Sequence, residues 1–296
     1  SGKPKHDLTK IKLFSMPVSI RIDDVLQTIW VDEKEMIFEL PVDTRPKMVI
    51  FNSGMRIPCK VNFNKPLSEW ITQLEQAPHI LDRVAAINVL KKKRGRRNVE
   101  NALLKAIEKD PFWGVRKEAV QGLAILKSKQ YSDMLMNLSE GQDNRVRREI
   151  WNALRNYKNN DDVSTFLQNV VSTDSKYYSV SDAFRALVAV DTAAARKKVD
   201  ALLVRDSHQD VIRRAAISYF GSVKNDKNYD RLKALASYGG TTWDARPEAV
   251  SQLSKYAKEK RETIDIFVNL LEDRSRDVRR RAIYALASHG RQDSSW

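Results

Sequence analysis

The sequence predicts a mostly α-helical protein, a right-handed α–α superhelix of about seven helix pairs preceded by a small antiparallel β-sheet domain. Two observations support this prediction. Short apolar runs separated by turn-forming residues fill the first 64 residues, and a pattern of about 33 residues repeats through the rest of the chain. We therefore expect a β domain over residues 1–64 and an α-solenoid over residues 65–296.

The composition is that of a globular protein without a membrane span. Of the 296 residues, 42% are hydrophobic and 30% are charged, and no run of 18 apolar residues occurs. The net charge of +14 favours acidic partners, unless it serves only to keep a large surface soluble. We expect a soluble protein with no membrane partner, located in the cytoplasm or the periplasm.

The N-terminal region has the pattern of five or six short strands. Val18, Ile20 and Ile22 alternate with polar residues, as in a half-buried strand. Further apolar runs follow between turn-forming residues, at 26–31, 36–42, 48–51 and 57–63. A sheet of about 60 residues buries little core of its own, so we expect it to pack against another element.

The repeat is clearest in the second half of each unit. Six spacings of 31 or 33 residues separate seven anchors, which are Asp82, Val115, Val146, Ser179, Ile212, Ala245 and Val278. An alanine stands four residues after six of these anchors. Offsets 0, +4, +5 and +8 share one face of an α-helix, so each anchor begins the second helix of a pair.

An arginine follows six of the seven anchors, and this row has two interpretations. The arginines are Arg83, Arg116, Arg147, Arg213, Arg246 and Arg279. In the structural interpretation, each reaches an aspartate or a backbone carbonyl of the adjacent repeat and forms a ladder along the stack. In the functional one, the row binds phosphates or acidic peptides. Repetition beside the core alanine favours the structural interpretation, because a binding site need not recur in every repeat.

The chemistry-bearing residues form no catalytic or metal motif. The histidines, His6, His79, His208 and His289, include no pair four residues apart, and Cys59 is the only cysteine. The glycines form neither a phosphate-binding loop nor a Gly-x-Ser-x-Gly elbow. The sequence therefore predicts no catalytic residue, metal site or cofactor in this chain, and we do not expect it to be an enzyme by itself.

Two stretches resemble known families. The helix pairs carry Val-Arg-x-x-Ala, most clearly at 110–119 and 273–282, and resemble the HEAT repeats of HEAT/ARM-like solenoids. The junction carries Phe-Glu-Leu-Pro-Val at 38–42, Pro-Lys-Met-Val-Ile-Phe-Asn at 46–52 and Asn-Lys-Pro-Leu-Ser-Glu-Trp at 64–70. This junction resembles bacterial zinc aminopeptidases of the aminopeptidase N and leukotriene-hydrolase type.

The second resemblance covers only the C-terminal part of that family. It implies that residues 1–64 are the end of a β-sandwich domain and that the chain is a non-catalytic fragment of a longer peptidase. The family's His-Glu-x-x-His and Gly-x-Met-Glu-Asn motifs have no counterpart here, so zinc is expected only in the peptidase domain that this chain lacks. The implied role is to close over that domain and limit substrate length, with the peptidase domain and peptides as partners.

Two alternatives come from other classes of protein. A HEAT-repeat interaction scaffold has the same fold and binds partners on its concave surface. A HEAT-like DNA-binding repair glycosylase would use the run at 91–97, in which six of seven residues are basic, for phosphate contacts. We expect that run to lie in the loop between the first two helix pairs, where a solvated charge cluster is the ordinary explanation.

The candidate binding surface is the face of the second helices that points away from the core, at offsets +2, +6 and +9. Polar and basic residues there are suited to a peptide carboxylate or an acidic partner. The candidates are Lys117, Arg148, Asn152, Arg155, Arg185, Arg214 and Arg280. The alternative for each of them is an ordinary solvated helix face.

Overall fold

The computed structural model describes residues 14–93, 95–124 and 129–290. In this part of the chain, three strands come first: β1 (Met16–Ile22), β2 (Val25–Val31) and β3 (Val49–Phe51). Fourteen α-helices follow, which are α1 (Leu67–Gln76), α2 (Ile80–Leu90), α3 (Arg97–Lys109), α4 (Trp113–Leu123), α5 (Lys129–Leu138), α6 (Asn144–Leu154), α7 (Asp161–Thr173), α8 (Tyr177–Val190), α9 (Thr192–Val204), α10 (Val211–Ser222), α11 (Asp226–Ala236), α12 (Arg246–Leu253), α13 (Glu262–Asn269) and α14 (Arg276–Gly290).

The helices pack as consecutive pairs, from α1 with α2 to α13 with α14. Each anchor lies in the first turn of the even-numbered helix, except Ala245, which immediately precedes α12. The predicted fold, a small antiparallel sheet followed by a solenoid of HEAT-like helix pairs, is confirmed. None of the described helices is long and apolar enough to cross a membrane.

The chain divides into two compact units, residues 1–123 and 124–296. The described part of the first contains the sheet and α1 to α4, and that of the second contains α5 to α14. Met48 and Ile50 form a buried cluster with Ala77, which directly follows α1. The expected boundary at residue 64 separates the strands from the helices. The contact of Met48 and Ile50 with Ala77, however, joins the sheet and the first helices in one compact unit.

The sheet is antiparallel with the order β2-β1-β3. In its register Val18 lies opposite Ile29, and Ile20 lies opposite Gln27 on one side and Phe51 on the other. The strands predicted at 36–42 and 57–63 are wrong: within the described residues neither segment pairs with a strand. Each instead contributes a side chain, Leu40 or Ile57, that packs on the apolar face of the sheet. In these two segments the apolar residues predict neither backbone pairing nor full burial, since Ile37 is 95% exposed and Val61 is 44% exposed.

The repeated alanines explain how closely the helices approach. Each is fully buried, and the set is Ala86, Ala119, Ala183, Ala216, Ala249 and Ala282. Larger side chains one residue later, such as Ile87 and Phe184, fill the space between the helices. On α14, the last helix described, the equivalent Ile283 is 54% exposed.

Short polar side chains begin several helices. A side-chain oxygen accepts a hydrogen bond from a backbone N–H of the first turn, which satisfies a donor that the helix leaves unpaired. The capping residues are Asp143 of α6, Asn160 of α7, Asp191 of α9 and Asn225 of α11.

Candidate functional site

Three of the repeated arginines form ion pairs with aspartates 27 residues further along; the pairs of Arg83 and Arg246 are buried, and that of Arg147 is half-buried. Arg83 donates from Nε to Asp110 Oδ2 at 2.7 Å and from Nη2 to Oδ1 at 3.1 Å. Arg246 makes the same two-pronged contact with Asp273, and Arg147 donates to Asp174. Each pair joins the second helix of one repeat to the end of the first helix of the next. Paired hydrogen bonds between a guanidinium and a carboxylate fix orientation as well as distance.

The other arginines of the row donate hydrogen bonds to backbone carbonyls or pair with an aspartate of their own repeat. Arg116 donates to the carbonyl of Asp110 at 2.7 Å, and Arg279 donates to that of Asp273 at 2.6 Å. Arg213 pairs with Asp210 within its own repeat.

The fourth repeat has Val180 in place of the arginine, and Ser207 stands 27 residues later where four other repeats have an aspartate. This repeat therefore lacks both the arginine and the aspartate of the ion pair.

Hydrogen bonds favour the charged form of two of these aspartates, Asp174 and Asp273. Burial by itself raises the pKa of Asp174, but hydrogen bonds from Ser179, from the Lys176 N–H and from Arg147 outweigh it and lower the pKa below its ordinary value. The balance at Asp273 is the same, with Arg246 as the main donor that lowers the pKa.

Three of the candidate surface arginines connect successive even-numbered helices. Arg148 Nε lies 2.6 Å from Asp182 Oδ2. Arg185 donates to Ser218 Oγ at 3.1 Å, and Arg214 lies 3.8 Å from Glu248. The structure therefore places these arginines along α6, α8 and α10 with contacts to α8, α10 and α12.

The remaining candidates lie apart from this row of contacts. Arg280 is exposed and pairs with Asp277 in its own helix. Asn152 and Arg155 are exposed at and just beyond the end of α6, and Lys117 is half-buried on α4 of the first unit.

The first unit contains a groove of about 920 Å³ that sequence reasoning did not identify. We call it the junction groove. It lies between the segment that follows β3 and the helices α1 and α2. The lining residues used below are Met55, Ile57, Cys59, Val61, Phe63, Lys65, Trp70, Asp82, Val89, Lys92, Lys93 and Arg96. A volume of several hundred Å³ with mostly apolar walls is typical of a binding site.

Lys65 fixes one end of the junction groove. Its ammonium donates to the carbonyl of Val49 at 2.8 Å and to Gln73 Oε1 at 2.5 Å, and it lies 4.1 Å from the centre of the Trp70 ring. Burial lowers the pKa of Lys65 to about 8, against the opposing effect of Glu69 and Asp82. This lysine therefore ties β3 to α1.

Asp82 is the only charged residue among the seven anchors, and the structure explains the exception. Its buried carboxylate accepts hydrogen bonds from Ser53 Oγ at 2.7 Å and from the Gly54 N–H at 2.9 Å. Gln73 donates to its carbonyl at 2.7 Å. Asp82 thus holds the turn after β3 against the start of α2, where a carboxylate also suits the helix dipole.

The histidines are scattered, as the sequence indicates. His79 precedes α2 next to Gly54, His208 lies in a short 3-10 turn and His289 lies in α14. His6 lies outside the described residues. Among the residues that the structure describes, no three histidine, cysteine, aspartate or glutamate side chains are grouped to hold a metal ion.

The comparisons with known proteins support the helical repeats. Residues 67–155 and, overlapping them, 100–188 match the family description "HEAT repeats". No curated protein matches the chain.

Several solved structures resemble this chain at low identity. Aminopeptidase A of Legionella pneumophila is 15% identical and has a TM-score of 0.47, with 93% of this chain and 36% of that one covered. The Escherichia coli protein YibA is 16% identical with a TM-score of 0.49, over 70% of this chain and 75% of that one. Human deoxyhypusine hydroxylase is 13% identical with a TM-score of 0.38, and the match covers 76% of this chain and 96% of that one. These likenesses concern the fold alone.

Proposed function

We propose that this chain is a non-catalytic HEAT-repeat region of a zinc-dependent aminopeptidase, where it closes over the peptidase domain and shapes the access of peptides. The support from the sequence is the resemblance of the strand–helix junction at 38–42, 46–52 and 64–70. The support from the structure is that β2, at the edge of the sheet, has no second strand partner among the described residues and exposes apolar side chains.

The outer strand β2 presents apolar side chains to solvent. Its seven residues pair with β1 on one side, and no strand of the described chain lies on the other. Val25 is 57% exposed, Leu26 41% and Trp30 59%. A long apolar edge strand is a template for pairing with a further strand. On this proposal, the missing strand belongs to the remainder of the β-sandwich in the parent peptidase.

The reading frame upstream of the codon for Ser1 tests the proposed function. A His-Glu-x-x-His segment with a further glutamate, encoded in the same frame, is the expected finding. An initiating methionine at this point, or an upstream domain without that zinc motif, contradicts the proposal and favours a HEAT-repeat interaction scaffold of the same fold.

A further inference from the structure

One wall of the junction groove is a segment with the pattern of a strand but without a strand partner. Ile57, Cys59, Val61 and Phe63 alternate with polar residues or proline. From residue 58 to residue 66 the backbone has no helix, strand, turn or bend. Within the described part of the chain, the peptide groups of residues 59–64 form no hydrogen bond with one another or with a neighbouring element.

These peptide groups are available to a second backbone. Backbone N–H and C=O groups are strong hydrogen-bonding groups that are nearly always paired when buried. An extended peptide placed beside residues 59–64 would pair with them, as in the addition of a strand to a sheet. Residues 59–62 and 64 are exposed, so a second backbone can reach these groups.

The groove also offers apolar contacts. Val61 is 44% exposed, and Trp70 of α1 and Val89 of α2 lie across from the segment in the same lining. In an extended peptide, alternate side chains point to the same face. The spacing of Cys59, Val61 and Phe63 therefore matches a partner with an apolar residue at every second position.

The charge of the groove is positive. Lys92, Lys93 and Arg96 are exposed, and none of the three has an ion-pair partner among the described residues. The one acidic residue of the lining, Asp82, is buried and already accepts hydrogen bonds from Ser53 and Gly54. The groove is therefore complementary to an acidic occupant.

We infer that the junction groove binds an acidic peptide in extended conformation. The peptide backbone pairs with residues 59–64, its apolar side chains pack on Val61 and Trp70, and its carboxylates face Lys92, Lys93 and Arg96. This inference does not depend on the proposed function, because it uses neither the open edge of β2 nor the helices of the second unit.

The test is fluorescence anisotropy with the whole chain and a labelled peptide of alternating Glu and Leu, about ten residues long. A peptide of alternating Lys and Leu controls for charge, and a Glu–Leu peptide N-methylated at alternate residues controls for backbone pairing. We expect the plain Glu–Leu peptide to bind at least about tenfold more tightly than either control, because charge and backbone pairing both contribute.

Variants locate the site. Val61→Asp on the exposed segment, and the double variant Lys92→Glu, Arg96→Glu, should each weaken binding of the Glu–Leu peptide by about tenfold or more. The matched control for charge is Lys227→Glu, Lys258→Glu, which makes the same change at exposed positions of the second unit. This control should bind the peptide nearly as well as the unaltered chain, and far-UV circular dichroism should show all variants folded.

Three results would overturn the inference. The first is failure of the Glu–Leu peptide to bind at about 1 mM, the weak limit of a specific complex. The second is equal binding of the N-methylated peptide. The third is that single- or double-stranded DNA binds more tightly than the Glu–Leu peptide and that Val61→Asp does not change the DNA affinity. This result would assign the basic run to phosphate contacts.

Discussion

At the scale of single residues, the account depends on the buried Arg–Asp pairs. Arg246 is only 3% exposed, and both of its contacts to Asp273 are lost when the side chain is removed. The carboxylate then remains buried without its partner. Breaking a buried ion pair from one side is costly, whereas a solvent-exposed pair contributes little.

Arg246→Ala should therefore lower the free energy of unfolding by about 3–5 kcal/mol. The matched control is Arg280→Ala, since Arg280 pairs with Asp277 at an exposed position. We expect a loss of less than about 1 kcal/mol for the control. Urea denaturation followed by circular dichroism measures both, and equal losses would contradict the structural role of Arg246.

The same pairs predict how stability depends on pH. Asp174 and Asp273 have pKa values below the ordinary value in the folded state. Their contribution is therefore complete above the unfolded-state pKa of about 4 and is lost as the pH falls through the lower folded-state values. We expect the urea concentration at the unfolding midpoint to decrease as the pH is lowered below about 4. In Asp273→Asn this decrease should be less steep. Identical slopes would exclude Asp273 as a source of the acid sensitivity.

At the scale of elements, the spacing of arginine and alanine was enough to predict the helix pairs. A residue such as Ala216 is dictated by the distance between two helices, so its position marks the contact directly. The segments at 36–42 and 57–63 were not predictable in the same way, because a short apolar run does not show which backbone lies alongside it, and Ile37 and Val61 in these runs are exposed. The junction groove was missed for a related reason: the strand pattern at 57–63 and the basic run at 91–97 are both visible in the sequence, but only the fold brings them together.

Ala216→Leu tests the close approach of the helices. Ala216 is fully buried on α10, so the larger side chain should overpack the contact and cost about 1–3 kcal/mol. Ala201→Leu on α9 is the control, because Ala201 is exposed. A melting temperature that is unchanged in Ala216→Leu, or lowered equally in both variants, would contradict the assigned register.

At the scale of the whole molecule, the proposed function is that of a binding and closing element without catalytic residues of its own. The purified chain should hold less than one zinc ion per molecule after dialysis and should not release an aminoacyl dye, because its sequence has no paired metal ligands. Metal analysis and a dye-release assay check this prediction. One tightly held zinc per chain, or release that a chelator abolishes, would contradict it.

On the proposed function, a strand from a parent peptidase covers the edge of β2 that no strand of the described residues covers. Amide hydrogen exchange of Val25–Val31 tests it, when this chain is compared with the product of the entire reading frame that encodes it. We expect alternate amides of β2 to exchange rapidly in this chain and at least about a hundredfold more slowly in the full product, because a paired N–H must open before it exchanges. Equal exchange of β2 in the two proteins would contradict the claim.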